Sequence, residues 1–360
     1  MNAYRIDRTY EWNYDNAPAL PPAVRVEEIP GRWDFCGLPI ASPLGVPAGP
    51  LLNSRWILYY AALGFDVLTY KTVRSIARTS YPLPNVLPVD AAALTGAEPF
   101  VAAARAGVDR ASWAISFGMP SKDPDVWQRD VEAARKGLPA GKVLVVSVVA
   151  SPAGGWTLDR IAADFAECAR RARDAGADAI EANLSCPNVS TQEGSLYQSA
   201  DASAAVAAAL RTAAPGLPLV LKVGLFDDRD QAEAFVGAIA GVATAISTTN
   251  AIATVVLGVD GRPLFNGDRR GIGGRAIGRR CLAELAMLKN VIDQAGARLQ
   301  LIAVGGVATA SDVEDRVAAG ARHVQIATAA MLNPFTAVEI RRELAARRAA
   351  AVTESSPDSI

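Results

Sequence analysis

The six-residue stretch Asn183-Leu-Ser-Cys-Pro-Asn188 contains the residue types best suited to chemistry in this sequence. It follows a short strand-like run and brings two amides, a hydroxyl and a thiol to the end of that strand. Amides can hydrogen-bond a polar ligand, and a thiol can exchange a proton. The polar neighbours of Cys186, and the turn that Pro187 fixes after it, favour a proton-transfer role over the packing role common for unpaired cysteines.

Two glycine clusters in the last third of the chain predict a site for a phosphate group. One is the turn Gly305-Gly306, which follows a strand-like run and precedes a helix. Glycine lets backbone N–H groups approach an anion closely, and a helix N-terminus adds its dipole. The second cluster, RRGIGGRAIGRR at 269–280, would add amides and arginine charge to the same anion. Tight turns alone explain either cluster but account less easily for both.

Eight strand-like segments alternate with alanine-rich helical segments and would position these residues. The strands are predicted at 43–48, 66–71, 143–149, 178–184, 219–223, 244–249, 299–305 and 323–329. The helix after Thr157 repeats apolar residues at three- and four-residue spacing and ends at Gly176. Eight such units predict an α/β fold, a parallel (β/α)8 TIM barrel, with a doubly wound open sheet as the alternative. Residues 72–142 contain a further strand-like piece, SWAISF, and are predicted to form an inserted segment over the barrel mouth.

Small residues, amides and two lysines stand where these strands end. In a (β/α)8 barrel the active site lies at the C-terminal ends of the strands, so these residues should converge. Lysine entering a cleft tends to need an anionic or polar partner. The strand ends are Ala48-Gly49, Lys71-Thr72, Ser147, Asn183 to Asn188, Lys222, Thr249-Asn250, Gly305-Gly306 and Thr328.

Composition excludes several classes of function. The chain of 360 residues has 36 basic and 37 acidic side chains, which gives no electrostatic case for binding nucleic acid or an anionic membrane. Its four cysteines are far apart, so we expect no disulfide framework, no metal site and a reducing, cytoplasmic location. We also expect neither a signal peptide nor a transmembrane span. A small-molecule enzyme is the class that remains.

Several motifs together resemble the dihydroorotate dehydrogenase family: NLSCPN, YKT, PLVLKVG, STTN, GIGG and VGGVATASDVEDRVAAGARHVQIAT. The resemblance runs from about Gly37 to about Leu344. It divides the chain into an N-terminal extension (1–36), an FMN-binding barrel (37–344) and a C-terminal tail (345–360). It implies one FMN at the barrel mouth and interconversion of dihydroorotate and orotate with hydride transfer to the flavin.

The resemblance also implies roles for individual residues. Cys186 matches the catalytic base, and a cysteine there resembles the soluble branch, whose members are homodimers, whereas a serine resembles the membrane-associated, quinone-using branch. Substrate would be bound by Lys71, Asn183, Asn188 and Asn250. The cofactor-binding residues would be Ala48, Gly49, Lys71, Thr72, Asn183, Lys222, Thr249, Gly274, Gly305, Gly306, Ala327 and Thr328.

Chemical reasoning supports the same base. Dehydrogenation of a C–C bond needs a hydride acceptor on one face of the substrate and a base on the other, and flavin supplies the first. The base is usually histidine, aspartate or glutamate. The one histidine, His323, lies inside the eighth predicted strand, where a packing role is expected. Cys186 is then the most plausible base at the mouth, whereas Cys168 and Cys281 are expected to be buried in helices.

Two residues depart from the family pattern. Ile115 stands where the soluble family has an asparagine that contacts flavin and orotate, and Ala251 stands where a serine is expected. Either the inserted segment aligns differently and dihydroorotate remains the substrate, or the enzyme acts on another cyclic unsaturated ring. A flavin-free barrel isomerase or aldolase using Lys71 or Lys222 as a Schiff-base amine, and a non-catalytic flavin-binding protein, are further alternatives. The sequence does not reveal the electron acceptor.

The loop after Asn188 is rich in glycine, serine and glutamine. This composition, and the position of the loop at the predicted mouth, predict a mobile cover over the substrate at 189–200.

Overall fold

The computed structural model describes residues 3–105, 111–185 and 195–354, with side chains as far as residue 350. Its strands are β1 (Trp33–Phe35), β2 (Leu38–Ile40), β3 (Leu44–Val46), β4 (Val67–Val73), β5 (Val86–Asp90), β6 (Phe100–Ala103), β7 (Ser112–Ile115), β8 (Val143–Val148), β9 (Ala179–Asn183), β10 (Leu219–Lys222), β11 (Ala245–Thr248), β12 (Ile252–Leu257), β13 (Arg270–Gly274), β14 (Gln300–Val304) and β15 (His323–Gln325). Its helices are α1 (Tyr10–Asp15), α2 (Ser54–Ala62), α3 (Pro124–Gly137), α4 (Leu158–Asp174), α5 (Ala200–Ala213), α6 (Arg229–Ile239), α7 (Gly278–Gln294), α8 (Ala310–Ala318), α9 (Thr328–Leu332) and α10 (Thr336–Glu354).

Eight parallel strands close into a barrel in the order β3-β4-β8-β9-β10-β11-β14-β15. The closure confirms the predicted (β/α)8 barrel over the open sheet. Strands such as β8, with the sequence VLVVSV, are buried along their whole length because helices cover the outer face and side chains fill the interior. Several helices begin at polar caps, for example at Thr157 before α4 and at Thr309 before α8.

The floor of the barrel is apolar and is closed by the β1-β2 hairpin. Phe35 and Ile40 from the hairpin join Val67, Ala179 and other inward-facing barrel residues in one cluster. His323 packs edge-to-face on Phe35, with ring centroids 5.1 Å apart, and is fully buried. The only histidine therefore has the packing role that its position in a strand predicted. It lies at the end of the barrel opposite the C-terminal ends of the strands.

Above this floor the interior becomes polar. Thr69, Glu181, Ser247 and Gln325 are each at most 1% exposed. They come from β4, β9, β11 and β15, which alternate around the barrel, as expected for one interior layer. Gln325 Nε2 donates a hydrogen bond of 3.1 Å to Thr69 Oγ1. The barrel axis therefore passes from an apolar floor through a polar layer toward the C-terminal ends of the strands.

A second, smaller closed sheet of five strands, in the order β12-β13-β7-β5-β6, lies next to the mouth of the barrel. Its interior is apolar and includes Val89, Ala114, Val256 and Ile272. The predicted insertion is therefore present but shorter than the predicted 72–142. Its strands lie within 86–115, and α3 follows them as an ordinary barrel helix between β4 and β8. Two of the five strands in this small sheet, β12 and β13, come from a second insertion, after β11, which the sequence did not reveal.

The first half of the glycine cluster at 269–280 is the strand β13, which pairs with β7 so that Gly271 and Gly273 lie opposite Ile115 and Trp113. The predicted end of the eighth barrel strand, at residue 329, was wrong. The last barrel strand ends at Gln325, and Thr328 begins the short helix α9. None of the helices in the described part of the chain has the length and apolar character needed to cross a bilayer.

Burial of His323 is expected to make stability depend on pH. Burial lowers the pKa of His323 from 6.5 to about 3, so between these values the unfolded chain binds a proton that the folded chain does not. Stability should therefore be complete above pH 6.5 and fall as the pH drops, by about 2 kcal/mol between pH 7 and pH 5. Urea unfolding of wild type and His323→Gln at both pH values measures this difference, which the variant should lack. An imidazole NMR signal that titrates near pH 6.5 in the folded protein would contradict it.

Candidate active site

The predicted strand ends surround an open cavity of about 860 Å³ at the barrel mouth. Ile115 and Gly273 from the small sheet line the same cavity as the barrel residues, so the small sheet forms its roof. The lining residues are Pro47, Ala48, Gly49, Pro50, Lys71, Thr72, Ile115, Phe117, Met119, Asn183, Lys222, Asn250, Ala251, Gly273, Val304, Ala327, Thr328 and Met331.

Two asparagines predicted to bind a ligand contact each other at this cavity. Asn250 Nδ2 donates to Asn183 Oδ1 at 3.3 Å and to the carbonyl of Ser185. Asn183 Oδ1 also accepts from the Ser185 amide at 3.3 Å, whereas among the described residues Asn183 Nδ2 has only the sulfur of Met119 as a partner, at 3.8 Å. The oxygen of Asn183 is therefore engaged, and its N–H groups are available for a stronger acceptor.

The two lysines lie at the cavity and are almost fully buried. Lys71 is 6% exposed and Lys222 is 5% exposed. Within the described ranges, no carboxylate lies within ion-pair distance of Lys222 Nζ. A buried ammonium group needs an anionic or polar partner, so the cavity favours a ligand that carries negative charge or strong acceptors.

One segment after β7 combines an apolar surface with unpaired backbone donors. Ile115, Phe117 and Met119 line the cavity with carbon and sulfur. Gly118 and Met119 have φ values of +75° and +51°, and a Cβ at Gly118 would meet the Tyr81 ring at 2.7 Å. In the parts of the chain that the structure describes, the N–H groups of Phe117, Gly118 and Met119 donate to no protein acceptor. Successive N–H groups in such a turn form a concavity that suits an anion.

The two glycine clusters meet, as predicted. A Cβ at Gly306 would overlap the Cα of Gly278 and would lie 3.4 Å from the carbonyl oxygen of Gly274. Gly274 and Gly306 line a second open space, together with Arg275 and Ala329. This space adjoins the main cavity, because Gly273 lines the main cavity and the next residue, Gly274, lines the second space. The backbones are so close that only glycine fits at 306.

Two predicted site residues line neither the main cavity nor the second open space. Thr249 is fully buried, and Gly305 lies against Cys281, whose sulfur would be 2.6 Å from a Cβ at 305. Burial raises the pKa of Cys281 to about 12, and Cys168 is likewise buried in a helix, which confirms the packing role predicted for both.

The predicted base, Cys186, the predicted ligand-binding Asn188 and the first half of the predicted mobile cover, 189–194, lie outside the described residues. The described chain ends at Ser185 and resumes at Ser195, and these two residues pair as an isolated antiparallel bridge. Among the residues whose positions are given, no group of three His, Cys, Asp or Glu side chains could hold a metal ion.

Sequence reasoning missed part of the lining. Phe117, Met119, Val304 and Met331 line the cavity although nothing in their local pattern indicated it. Ser147 at the end of β8 was noted only as a strand end, and its hydroxyl lies 3.0 Å from the Thr72 hydroxyl.

Comparisons with known proteins agree on one family. The family model described as dihydroorotate dehydrogenase matches residues 32–347. Dihydroorotate dehydrogenase of Dictyostelium discoideum is 31% identical to this chain and covers 93% of it and 95% of its own length. Dihydroorotate dehydrogenase (quinone) of Streptomyces coelicolor is 29% identical over 92% of this chain and 84% of its own length.

Solved structures agree on the fold. A dihydroorotate dehydrogenase of Eimeria tenella, in complex with ferulenol, superposes with a TM-score of 0.73 at 18% identity. The match covers 92% of this chain and 88% of that one. At this level of identity the likeness concerns the fold alone.

Proposed function

The chain belongs to the dihydroorotate dehydrogenase family, and from that membership we propose that it oxidises dihydroorotate to orotate with FMN as cofactor and Cys186 as base. Members of the family are flavin-containing oxidoreductases that act on a CH–CH bond. Membership of this family therefore argues against a flavin-free isomerase or aldolase that uses Lys71 or Lys222 as a Schiff-base amine. As a soluble-branch enzyme, the protein would act as a cytoplasmic homodimer.

The residues at the mouth fit a flavin nucleotide. A Cβ at Gly49 would have no atom within 4 Å, so glycine leaves the space beside this strand end open for a flat ring. Gly274, Gly306 and Thr328 would hold the phosphate through backbone amides, and Lys71 and Lys222 would contact the ring. When bound, the flavin supplies the hydride acceptor.

The observation that carries the substrate assignment is the set of unpaired N–H groups at Phe117, Gly118 and Met119 beside a buried lysine. A carboxylate on the ring of dihydroorotate would accept from these amides and from Lys71, because both favour negative charge. Asn183 Nδ2, now facing only a sulfur, would donate to a ring carbonyl. Together these donors would hold the substrate by both of its polar edges.

Cys186 would remove the proton from the ring carbon on the face opposite the hydride acceptor. It follows Ser185 directly in the chain, and the carbonyl of Ser185 accepts from Asn250 at the cavity. In general, a thiol beside lysine charge has a lowered pKa and a larger thiolate fraction. A thiol serves this role in the proposal because the only imidazole is buried in the barrel floor.

Anaerobic mixing of the purified, FMN-loaded protein with dihydroorotate should bleach the flavin absorbance. The reduced protein should recover its colour when orotate is added in excess, since the reaction is reversible. Purified protein that is colourless and cannot be reconstituted with FMN would contradict the cofactor. A loaded protein that stays oxidised would contradict the substrate.

A second candidate substrate is a dihydro-ring without the carboxylate. Ile115 and Ala251, which depart from the family pattern, both line the cavity and offer no hydrogen bond from their side chains. Removing a polar contact weakens binding by about 1–3 kcal/mol, which is enough to change preference. Flavin that is bleached by dihydrouracil or dihydrothymine and not by dihydroorotate would favour this candidate.

A further inference from the structure

Arg74 is a buried arginine that holds the turn at Phe117–Met119 in place. It directly follows β4, the strand that carries Lys71 and Thr72, and it is 1% exposed. Its Nε donates to the carbonyl of Met119 at 3.0 Å. Burial of a guanidinium costs folding free energy, and this one hydrogen-bonds a turn that borders the cavity. We therefore considered what Arg74 contributes to that turn.

Further hydrogen bonds of Arg74 tie the same turn to the barrel. Nη1 donates to the carbonyl of Ala150 at 2.5 Å, just beyond β8, and the backbone N–H donates to Ser121 Oγ at 3.1 Å. Trp127 Nε1 of α3 donates to the Arg74 carbonyl at 3.0 Å. One residue therefore connects two barrel strand ends and a barrel helix to the segment that contains the unpaired amides.

The charge of Arg74 points to the chemistry of the ligand. Its cation contacts the carbonyl oxygen of Met119, on the same residue whose N–H is one of the three unpaired donors. The guanidinium therefore places a positive charge within hydrogen-bond distance of the turn that contains the unpaired amides. This charge favours a carboxylate at the turn over a neutral group.

We propose that Arg74 is a positioning residue that sets the preference of the site for a carboxylate-bearing ring, by holding the Gly118-Met119 turn and placing a positive charge beside it. This proposal rests on the proposed function, because it concerns the ligand of the same cavity. Arg74 does not contact the ligand, and it acts through the backbone of the turn.

The test compares two ligands that share a ring and differ in the carboxylate. Flavin absorbance changes of the FMN-loaded protein give dissociation constants for orotate and for uracil. In Arg74→Lys, which keeps a charge but loses the fork of donors, the dissociation constant for orotate should rise about tenfold and that for uracil should change less than about twofold. Arg129→Lys, an exposed arginine on α3, is the matched control and should change neither.

A second variant and a second measurement guard against a folding defect. Ser121→Ala removes one anchor of the turn and leaves the guanidinium in place, so it should weaken orotate binding selectively but less than Arg74→Lys. Hydrogen exchange at the Ser121 and Tyr81 amides, which donate to Arg78 and Phe117 across the ends of this segment, should accelerate in Arg74→Lys.

Equal weakening of both ligands, or unchanged orotate binding in Arg74→Lys and in Ser121→Ala, would overturn the role of Arg74 while leaving the proposed function intact. A wild-type protein that binds uracil but not orotate would overturn this inference together with the dihydroorotate assignment. Selective loss of orotate binding with faster exchange would support it.

Discussion

Replacing Cys186 by alanine is expected to slow reduction of the bound flavin by dihydroorotate by about 10²–10⁴-fold, the range for removal of a general base. The thiol is the proposed acceptor of the ring proton, and no imidazole is near the mouth to replace it. FMN binding should be unchanged, because Cys186 is not among the residues proposed to bind the cofactor. Anaerobic stopped-flow absorbance measures the reduction rate, and the flavin-to-protein ratio measures cofactor content.

Cys36→Ala is the matched control for this substitution. Cys36 lies in the turn between β1 and β2 at the floor of the barrel, and burial raises its pKa to about 12, so it is a protonated thiol remote from the mouth. Its removal should leave the reduction rate within about twofold of wild type, as expected for a substitution away from the chemistry. Equal reduction rates in Cys186→Ala and wild type would end the base assignment.

Replacing Gly306 by alanine is expected to abolish FMN binding and to destabilise the protein. Gly306 has φ +71°, and an added Cβ would overlap the Cα of Gly278 and lie 2.6 Å from its nitrogen. Both partners are backbone atoms, so the two glycine-rich segments must separate. We expect a loss of about 2–5 kcal/mol from left-handed strain and overpacking together. Urea unfolding and FMN titration measure the two effects.

Gly141→Ala separates strain from the backbone clash. Gly141 has φ +79°, and a Cβ there would have no atom within 4 Å. This control should lose only about 1–2 kcal/mol, from strain alone, and should bind FMN normally. If Gly306→Ala binds FMN as tightly as Gly141→Ala, the phosphate is not held where the two glycine clusters meet.

The barrel could be predicted because its strands are nearly continuous apolar runs. A run such as VLVVSV is buried on both faces, and that pattern is visible without knowledge of any neighbour. The strand β13 could not be predicted in this way, since its sequence RGIGG has weak strand propensity. It becomes a strand because Gly271 and Gly273 pair with Ile115 and Trp113, more than 150 positions earlier in the chain.

The polar part of the candidate site was predictable, and its apolar part was not. Lys71, Asn183 and Lys222 stand out because polar side chains at the ends of buried strands need an explanation, and all three line the cavity. Phe117 and Met119 give no such signal, because apolar residues in an irregular segment are ordinary core candidates. The role of Arg74 could not be predicted for a different reason. The sequence shows an arginine but not the carbonyl groups to which its guanidinium donates.

The five-stranded roof has a consequence for evolution and for engineering. Its strands come from two stretches of the chain, 86–115 and 252–274. The strands of each stretch leave backbone edges that are paired by strands of the other, β12 with β6 and β13 with β7. A chimera that took one stretch from a relative would leave mismatched strand edges above the cavity at the barrel mouth, and exposed edges promote aggregation. The two stretches therefore form one structural unit, and a recombination experiment that changes the roof of the cavity must exchange both of them together.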